Sequence, residues 1–180
     1  MHHFLTGPRG VGKSSIIHKV NELLPSQTVG FQTVPYLDKQ GTLQGFVLES
    51  LSALAGDTPD QDQQWIARFD DPAWRIFPET FESLGVSILK DIFAIPHTKT
   101  LLVMDELGFF ENTAFAFQSQ VLSCLDQEEI VVFGVLKDVH TPFINRIRNH
   151  PLVCLHPINV NNRNDVVEEM VQVLTLLLER

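Results

Sequence analysis

The segment Gly7-Pro8-Arg9-Gly10-Val11-Gly12-Lys13-Ser14 decides the fold class of this chain of 180 residues. It fits the pattern Gly-x-x-x-x-Gly-Lys-Ser, whose glycines let the backbone curl so that successive N–H groups point at phosphate oxygens. A strand is predicted immediately before it, at residues 2–6, and an amphipathic helix immediately after it, at residues 13–24. The sequence therefore predicts a phosphate-binding loop between a strand and a helix.

The residue types of this loop predict how a nucleotide is held. Lys13 is expected to reach the β- and γ-phosphates and to act in catalysis, and Ser14 is expected to bind Mg²⁺. The helix that follows adds its N-terminal partial positive charge. The predicted nucleotide-binding residues of this region are Gly7, Pro8, Arg9, Gly10, Val11, Gly12, Lys13, Ser14 and Ser15. The predicted substrate is ATP or another nucleoside triphosphate, with Mg²⁺ as the cofactor.

An acidic pair follows a second predicted strand. Residues 100–104 are nearly all apolar, which is typical of a parallel strand buried on both faces, and Asp105 and Glu106 come directly after them. A carboxylate at this position in phosphate-loop proteins holds the magnesium ion, so Asp105 is predicted to bind metal. Glu106 is predicted to be the general base that polarises the attacking water. Ligands of open α/β sheets bind beyond the carboxyl ends of the strands, so both acids are expected beside the phosphate loop.

The remaining periodicity predicts an α/β fold with a single phosphate-loop domain over residues 1–180. Residues 28–34, 41–51 and 64–69 alternate like strands, with turn residues at 35, 38–41 and 56–59 between them, so residues 28–70 are predicted to be an antiparallel β-hairpin insertion. Helix 79–92, strand 100–104, helix 113–126, strand 130–136, helix 142–148, strand 152–155 and helix 164–179 follow. This alternation predicts a mostly parallel sheet flanked by helices.

The charge and length of the chain exclude several classes of partner. The 13 basic residues are scattered among 22 acidic ones, so no nucleic-acid footprint is predicted. No apolar run reaches the roughly 18 residues of a membrane helix, and the N-terminus lacks the apolar core of a signal peptide. We therefore expect a cytoplasmic protein.

The cysteines and histidines of the sequence do not predict a metal site. The two cysteines, Cys124 and Cys154, are predicted to be buried thiols in a reducing cytoplasm. The seven histidines show no metal-ligand spacing, so no zinc site is predicted.

A family resemblance rests on five short runs in order. They are residues 5–14, Gly30-Phe31-Gln32-Thr33 with Gly45-Phe46, Val103-Met104-Asp105-Glu106-Leu107-Gly108, Pro142-Phe143-Ile144 before Ile147-Arg148, and Asn162-Arg163. Over essentially its whole length the chain resembles the small nucleoside-triphosphatases found in thermophilic archaea and bacteria. The resemblance implies a RecA-like phosphate-loop fold and slow, Mg²⁺-dependent hydrolysis of several nucleoside triphosphates, with broad base specificity. The chain departs from the family at Phe109-Phe110-Glu111, where Met-Glu is common, and at Lys137, where His is frequent.

The loop after the predicted strand 152–155 is expected at the same edge of the sheet as the phosphate loop. Asn162 and Arg163 in this loop are predicted to contact the base of the nucleotide. The alternative interpretation is that the asparagines at 159–164 cap the last helix.

Two other functions remain open at this point. One is a nucleotide or small-molecule kinase, although the sequence lacks the arginine cluster that forms a lid in small kinases, which favours hydrolysis. The other is a nucleotide-dependent switch that acts on a protein partner through Phe109-Phe110 and the β insertion.

Overall fold

The structure, a computed structural model, describes residues 1–51, 64–95 and 100–179. The strands of these ranges are β1 (His2–Thr6), β2 (Gln27–Leu37), β3 (Leu43–Ser50), β4 (Trp65–Asp70), β5 (Ala73–Ile76), β6 (Thr100–Leu107), β7 (Val131–Leu136) and β8 (Val153–Pro157). They form one mixed sheet in the order β5-β4-β3-β2-β6-β7-β1-β8.

The sheet has a parallel part and an antiparallel part. β2, β6, β7, β1 and β8 run parallel, whereas β3, β4 and β5 extend the sheet from β2 in antiparallel fashion. β2 belongs to both parts, because residues 27–32 pair with β6 and residues 31–37 pair with β3. The predicted antiparallel segment is thus continuous with the main sheet, and its last hairpin extends beyond residue 70.

Helices cover both faces of the sheet. They are α1 (Lys13–Leu23), α2 (Pro78–Thr80), a π-helical turn (Phe81–Gly85), α3 (Val86–Asp91), a 3-10 turn (Ile92–Ala94), α4 (Phe115–Leu125), α5 (Pro142–Arg148) and α6 (Asp165–Leu178). Helices α1 and α6 enclose one core with Leu5 of β1. Helices α3, α4 and α5, with the π-helical and 3-10 turns, enclose a second core with Phe4. β6 and β7 are nearly all apolar because both of their faces are covered in this way.

The predicted fold class is confirmed, and most predicted elements are found. β1 and α5 have the predicted bounds, whereas the predicted helix 79–92 is divided by the π-helical turn. The predicted turn at 56–59 lies outside the described residues. Cys124 is buried as predicted, but Cys154 is partly exposed because it lies on the edge strand β8. Among the described residues, no helix combines the length and the apolar character needed to cross a membrane.

The strand order determines where the site lies. β7 lies between β1 and β6 and is parallel to both, so the carboxyl ends of all three strands meet at one edge. The pairing of β6 with β7 shifts between Met104 and Leu107, the interval that contains Asp105 and Glu106. The loop after β1 and the two carboxylates therefore share one edge of the sheet.

Candidate active site

The phosphate loop connects β1 to α1 and is held against the end of β8. Gly7 has φ 142°, and a Cβ atom there would lie 2.4 Å from the carbonyl oxygen of Ile158. Only glycine permits this close approach of backbone to backbone. Gly10 also has a positive φ, 77°, but its Cβ position faces open space. The glycines thus serve two needs, close packing at Gly7 and a left-handed turn at Gly10.

Lys13 is buried beneath the loop that it is predicted to serve. Its Nζ donates hydrogen bonds to the carbonyl oxygens of Gly7 and Pro8, both at 2.8 Å. Burial lowers the pKa of Lys13, while the nearby carboxylates of Glu106 and Asp105 act in the opposite direction. The amine is therefore located inside the curl of the loop, where it faces the region that phosphate oxygens would occupy.

Ser14 and Asp105 meet across the edge of the sheet. The Ser14 hydroxyl donates a hydrogen bond to Oδ1 of Asp105 at 3.1 Å. Burial raises the pKa of Asp105 to about 6, although the bond from Ser14 acts to lower it. A hydroxyl and a carboxylate are hard oxygen ligands of the kind that Mg²⁺ prefers. The pair fits a magnesium ion, whose charge would favour the ionised form of Asp105.

Glu106 points to the rim of the same site and is held by Lys137. The Lys137 Nζ lies 2.6 Å from Oε1 of Glu106, and each side chain is about a quarter exposed. The same ammonium lies 5.0 Å from the ring centroids of both Phe109 and Phe110, within the range of cation–π contacts. Lys137 therefore fixes the carboxylate that is predicted to act as the general base.

Glu111 is a buried acid in the run where the chain departs from the family it resembles. Its Oε1 accepts a hydrogen bond from the backbone N–H of Gly108 at 2.5 Å, and α4 begins only at Phe115. Burial raises the pKa of Glu111 to about 7. The side chain therefore closes the turn that carries Phe109 and Phe110, and it does not begin the helix.

Lys13, Ser14, Glu106 and Lys137 line one cavity of about 830 Å³, and Asp105 is linked to it through Ser14. Its lining consists of Gly7, Pro8, Arg9, Gly10, Gly12, Lys13, Ser14, Ser15, Phe46, Glu106, Phe109, Phe110, Lys137, Asp138 and Val139. The ring centroids of Phe109 and Phe110 are 4.4 Å apart, and Phe46 lies 5.7 Å from Phe110. Sequence reasoning did not predict this aromatic wall, although two phenylalanines shortly after the acidic pair were a usable signal.

Three predicted nucleotide-binding residues lie outside this lining. The side chain of Val11 is buried in the core formed with α1. The Asn162 amide donates to the carbonyl oxygen of Pro157 and accepts from the N–H of Asn159, both at 2.8 Å. Asn162 thus stabilises the loop before α6, while α6 itself has no side-chain cap. Contact of Asn162 and Arg163 with a base stays a prediction.

The glycine loop before α1 and the acidic pair at the end of β6 define a phosphate-loop nucleotide-binding protein. A family model described as NTPase matches residues 2–171, so the chain belongs to this NTPase family. The class of enzyme predicted from the sequence is thereby confirmed.

Several named proteins are similar to the chain along nearly its whole length. It is 29% identical to nucleoside-triphosphatase THEP1 of Thermotoga sp. (strain RQ2), covering 94% of this chain and 93% of the relative. It is 27% identical to the human cancer-related nucleoside-triphosphatase, covering 94% of each chain. The solution structure of a human cancer-related nucleoside triphosphatase aligns with TM-score 0.72 at 25% identity, over 97% of each chain. The crystal structure of THEP1 from Aquifex aeolicus shares the fold, with TM-score 0.76 at 22% identity over 97% of this chain and 99% of that one.

Proposed function

We propose that this chain hydrolyses nucleoside triphosphates to the diphosphate and phosphate, that it requires Mg²⁺, and that it accepts several bases. The observation that carries the proposal is that Lys13, Ser14 and Glu106 line one cavity, while Asp105 is joined to it through its hydrogen bond with Ser14. These groups match the parts that phosphoryl transfer requires: a phosphate cradle, a metal site and an acid that orients water. The relatives named nucleoside-triphosphatase support the same substrate class.

The phosphates would be held by the loop and by Lys13. The N–H groups of the loop and the start of α1 provide a positive cradle. The Lys13 ammonium now binds the carbonyl oxygens of Gly7 and Pro8, and phosphate oxygens would compete for its protons. Because the charge on these oxygens changes during transfer, donors that are already in place stabilise the transition state.

Ser14 and Asp105 would hold the magnesium ion. Their oxygens are already in hydrogen-bond contact, so little rearrangement is needed to present both to one cation. When bound, the ion neutralises charge on the β- and γ-phosphates. Asp105 must be ionised to serve as a ligand. Burial raises the pKa of this carboxyl group, and the attraction of the cation would lower it again.

Glu106 would take the proton of the attacking water. Its second carboxylate oxygen remains available, because the structure pairs Lys137 with Oε1. Lys137 is a positioning residue in this proposal, since it orients the carboxylate toward the cavity. A general base of this kind contributes about 10²–10⁴-fold to the rate.

The aromatic wall would receive the base. Phe46, Phe109 and Phe110 line the cavity that contains the phosphate loop. Stacking on aromatic rings is worth about 1–3 kcal/mol per base and is tolerant of base identity, because every base has a π-face. This arrangement supports broad base specificity.

The test is phosphate release from ATP, GTP, CTP and UTP, with Mg²⁺ and with EDTA. We expect release from all four that requires Mg²⁺. Glu106→Gln should keep triphosphate binding and lose about 10²-fold or more of the rate, while the exposed Glu128→Gln serves as the control. Tight binding with no release would contradict hydrolysis and favour a kinase that lacks its acceptor or a switch that lacks its partner.

A further inference from the structure

A second group of chemically active side chains lies away from the phosphate loop. His3 on β1 is paired with Cys154 on β8, and His156 is two residues further along β8. Alternate residues of a strand point to the same face, so all three side chains share one face of the sheet. No zinc site was predicted, because the histidines show no metal-ligand spacing in the sequence. His3 and His156 are 153 positions apart, but strand pairing brings them together.

The donor atoms of the three residues converge. One atom each from His3, Cys154 and His156 lie within 4.8 Å of one another. Nδ1 of His3 and Nε2 of His156 are 2.9 Å apart and share a hydrogen bond, so at least one of them presents a lone pair. Neutral imidazole is the form that binds metal.

The other nitrogen of His156 faces a carboxylate. Its Nδ1 lies 3.9 Å from Oε1 of Glu169, which α6 presents to this face of the sheet. Metal-binding histidines usually direct their second nitrogen to such a carboxylate, which fixes the tautomer and increases ligand basicity. At 3.9 Å the two atoms are not hydrogen-bonded in this structure, but a small movement of the exposed Glu169 side chain would bring its carboxylate to Nδ1 and leave Nε2 of His156 free to bind an ion.

We propose that His3, Cys154 and His156 form a binding site for a zinc ion, with a water molecule as the fourth ligand. Two imidazoles and one thiolate are ligands of Zn²⁺, whereas Mg²⁺ and Ca²⁺ require oxygen ligands. Tetrahedral zinc bonds of about 2.0–2.1 Å place two nitrogens about 3.4 Å apart. The 2.9 Å pair therefore needs to open only slightly. β8 is the edge strand and neither Cys154 nor His156 is fully buried, so a water molecule can serve as the fourth ligand in this proposal.

Such an ion would tie the edge strand to the strand that leads into the phosphate loop. β1 ends at Thr6, and Gly7 packs against Ile158 just after β8. Cross-linking β8 to β1 by metal stabilises the folded chain, because the unfolded chain has no preformed site. The site is distinct from the Ser14–Asp105 pair in both location and ligand type.

The test uses the full chain without an affinity tag, kept reduced with a phosphine. Titration with Co²⁺ is followed by the thiolate-to-cobalt absorption band, and Zn²⁺ is titrated in competition with a colorimetric chelator. We expect one ion per chain and a higher unfolding temperature with Zn²⁺. Cys154→Ser should abolish the thiolate band and weaken Zn²⁺ binding more than Glu169→Gln, for which about a 10-fold loss is expected.

Two controls locate the ion. Cys124→Ala removes the other, buried thiol and should leave the Co²⁺ band unchanged. Asp105→Asn alters the predicted magnesium site and should also leave the band unchanged. The proposal is overturned if millimolar Zn²⁺ and Co²⁺ do not bind the wild-type chain, or if Cys154→Ser binds Zn²⁺ as tightly as the wild type.

Discussion

The hydroxyl of Ser14 donates a hydrogen bond to Oδ1 of Asp105 at 3.1 Å, although 91 positions separate the two residues. The contact arises because β7 joins β1 and β6 into one parallel group, so that the end of β1 and the end of β6 face the same edge. Two hard oxygen ligands are thereby brought together beside the phosphate cradle.

Asp105→Asn should raise the Mg²⁺ concentration needed for half-maximal phosphate release by at least about 10-fold, which corresponds to about 1.4 kcal/mol of cation binding. The amide keeps the shape of the carboxyl group but carries no charge for the ion. The measurement is a Mg²⁺ titration of initial rates at saturating ATP. Asp126→Asn changes an exposed acid after α4 and should not shift the midpoint. An unshifted midpoint for Asp105→Asn would exclude this residue as the metal ligand.

Lys137→Gln should lower kcat more than it raises KM. The substitution removes the ammonium that lies 2.6 Å from Glu106 and leaves the carboxylate free to rotate. Because a base must be within hydrogen-bond reach of its proton, loss of orientation slows the chemical step. We expect about a 10-fold loss in kcat from this misplacement, with partial recovery in Lys137→Arg. If KM alone changes, Lys137 contributes to binding and does not position Glu106.

Phe109→Ala should weaken binding of ATP, GTP, CTP and UTP to a similar extent, by about 5-fold or more, because it removes a stacking surface that every base can use. Affinity for inorganic tripolyphosphate, which has no base, should not change. Dissociation constants measured for the five ligands make this comparison. Phe115→Ala removes an equally large exposed ring at the start of α4, which does not line the cavity, and is the control. If Phe109→Ala weakened tripolyphosphate binding as much as nucleotide binding, the defect would lie in the phosphate loop and not in stacking on the base.

The predictable part of the site consisted of residues that are close in sequence. The candidate loop 7–15 and the pair Asp105-Glu106 each occupy one continuous stretch, so a local pattern was sufficient to predict them. Their shared edge also followed from the general rule for parallel sheets. The fold class was predictable for the same reason, since helix and strand periodicity is local.

Contacts made by pairing between distant strands could not be predicted. Phe46 reaches the cavity only because β3 is attached to the main sheet through β2. His3 meets His156 only because β8 pairs with β1 at a particular register. A single sequence contains no direct signal for such a register, which depends on the packing of both faces.

Gly7→Ala should destabilise the chain more than Gly10→Ala. At Gly10 the added Cβ meets nothing within 4 Å, so the cost is the left-handed backbone alone, about 1–2 kcal/mol. At Gly7 the Cβ would also lie 2.4 Å from the carbonyl oxygen of Ile158, which forces the loop away from β8. Urea unfolding of both variants and the wild type measures the difference. If Gly7→Ala lost less free energy of unfolding than Gly10→Ala, the phosphate loop would be able to move away from Ile158 at little cost.

Glu111→Gln should become more stable relative to the wild type as the pH rises. The unfolded carboxyl titrates near 4.5 and the buried one near pH 7, mainly because burial penalises the charge, with Lys137 and Glu106 as the nearby charged groups. The folded wild type therefore binds this proton more tightly than the unfolded chain does. The resulting contribution to the free energy of unfolding, about 3 kcal/mol in all, is fully present below pH 4.5 and is lost as the pH rises through 7. The glutamine stays neutral, and its carbonyl oxygen can still accept the bond from Gly108. Free energies of unfolding at several values between pH 5 and 9 make the comparison, with Glu128→Gln as the control. Parallel curves for Glu111→Gln and the wild type would show that Glu111 is ionised throughout this range.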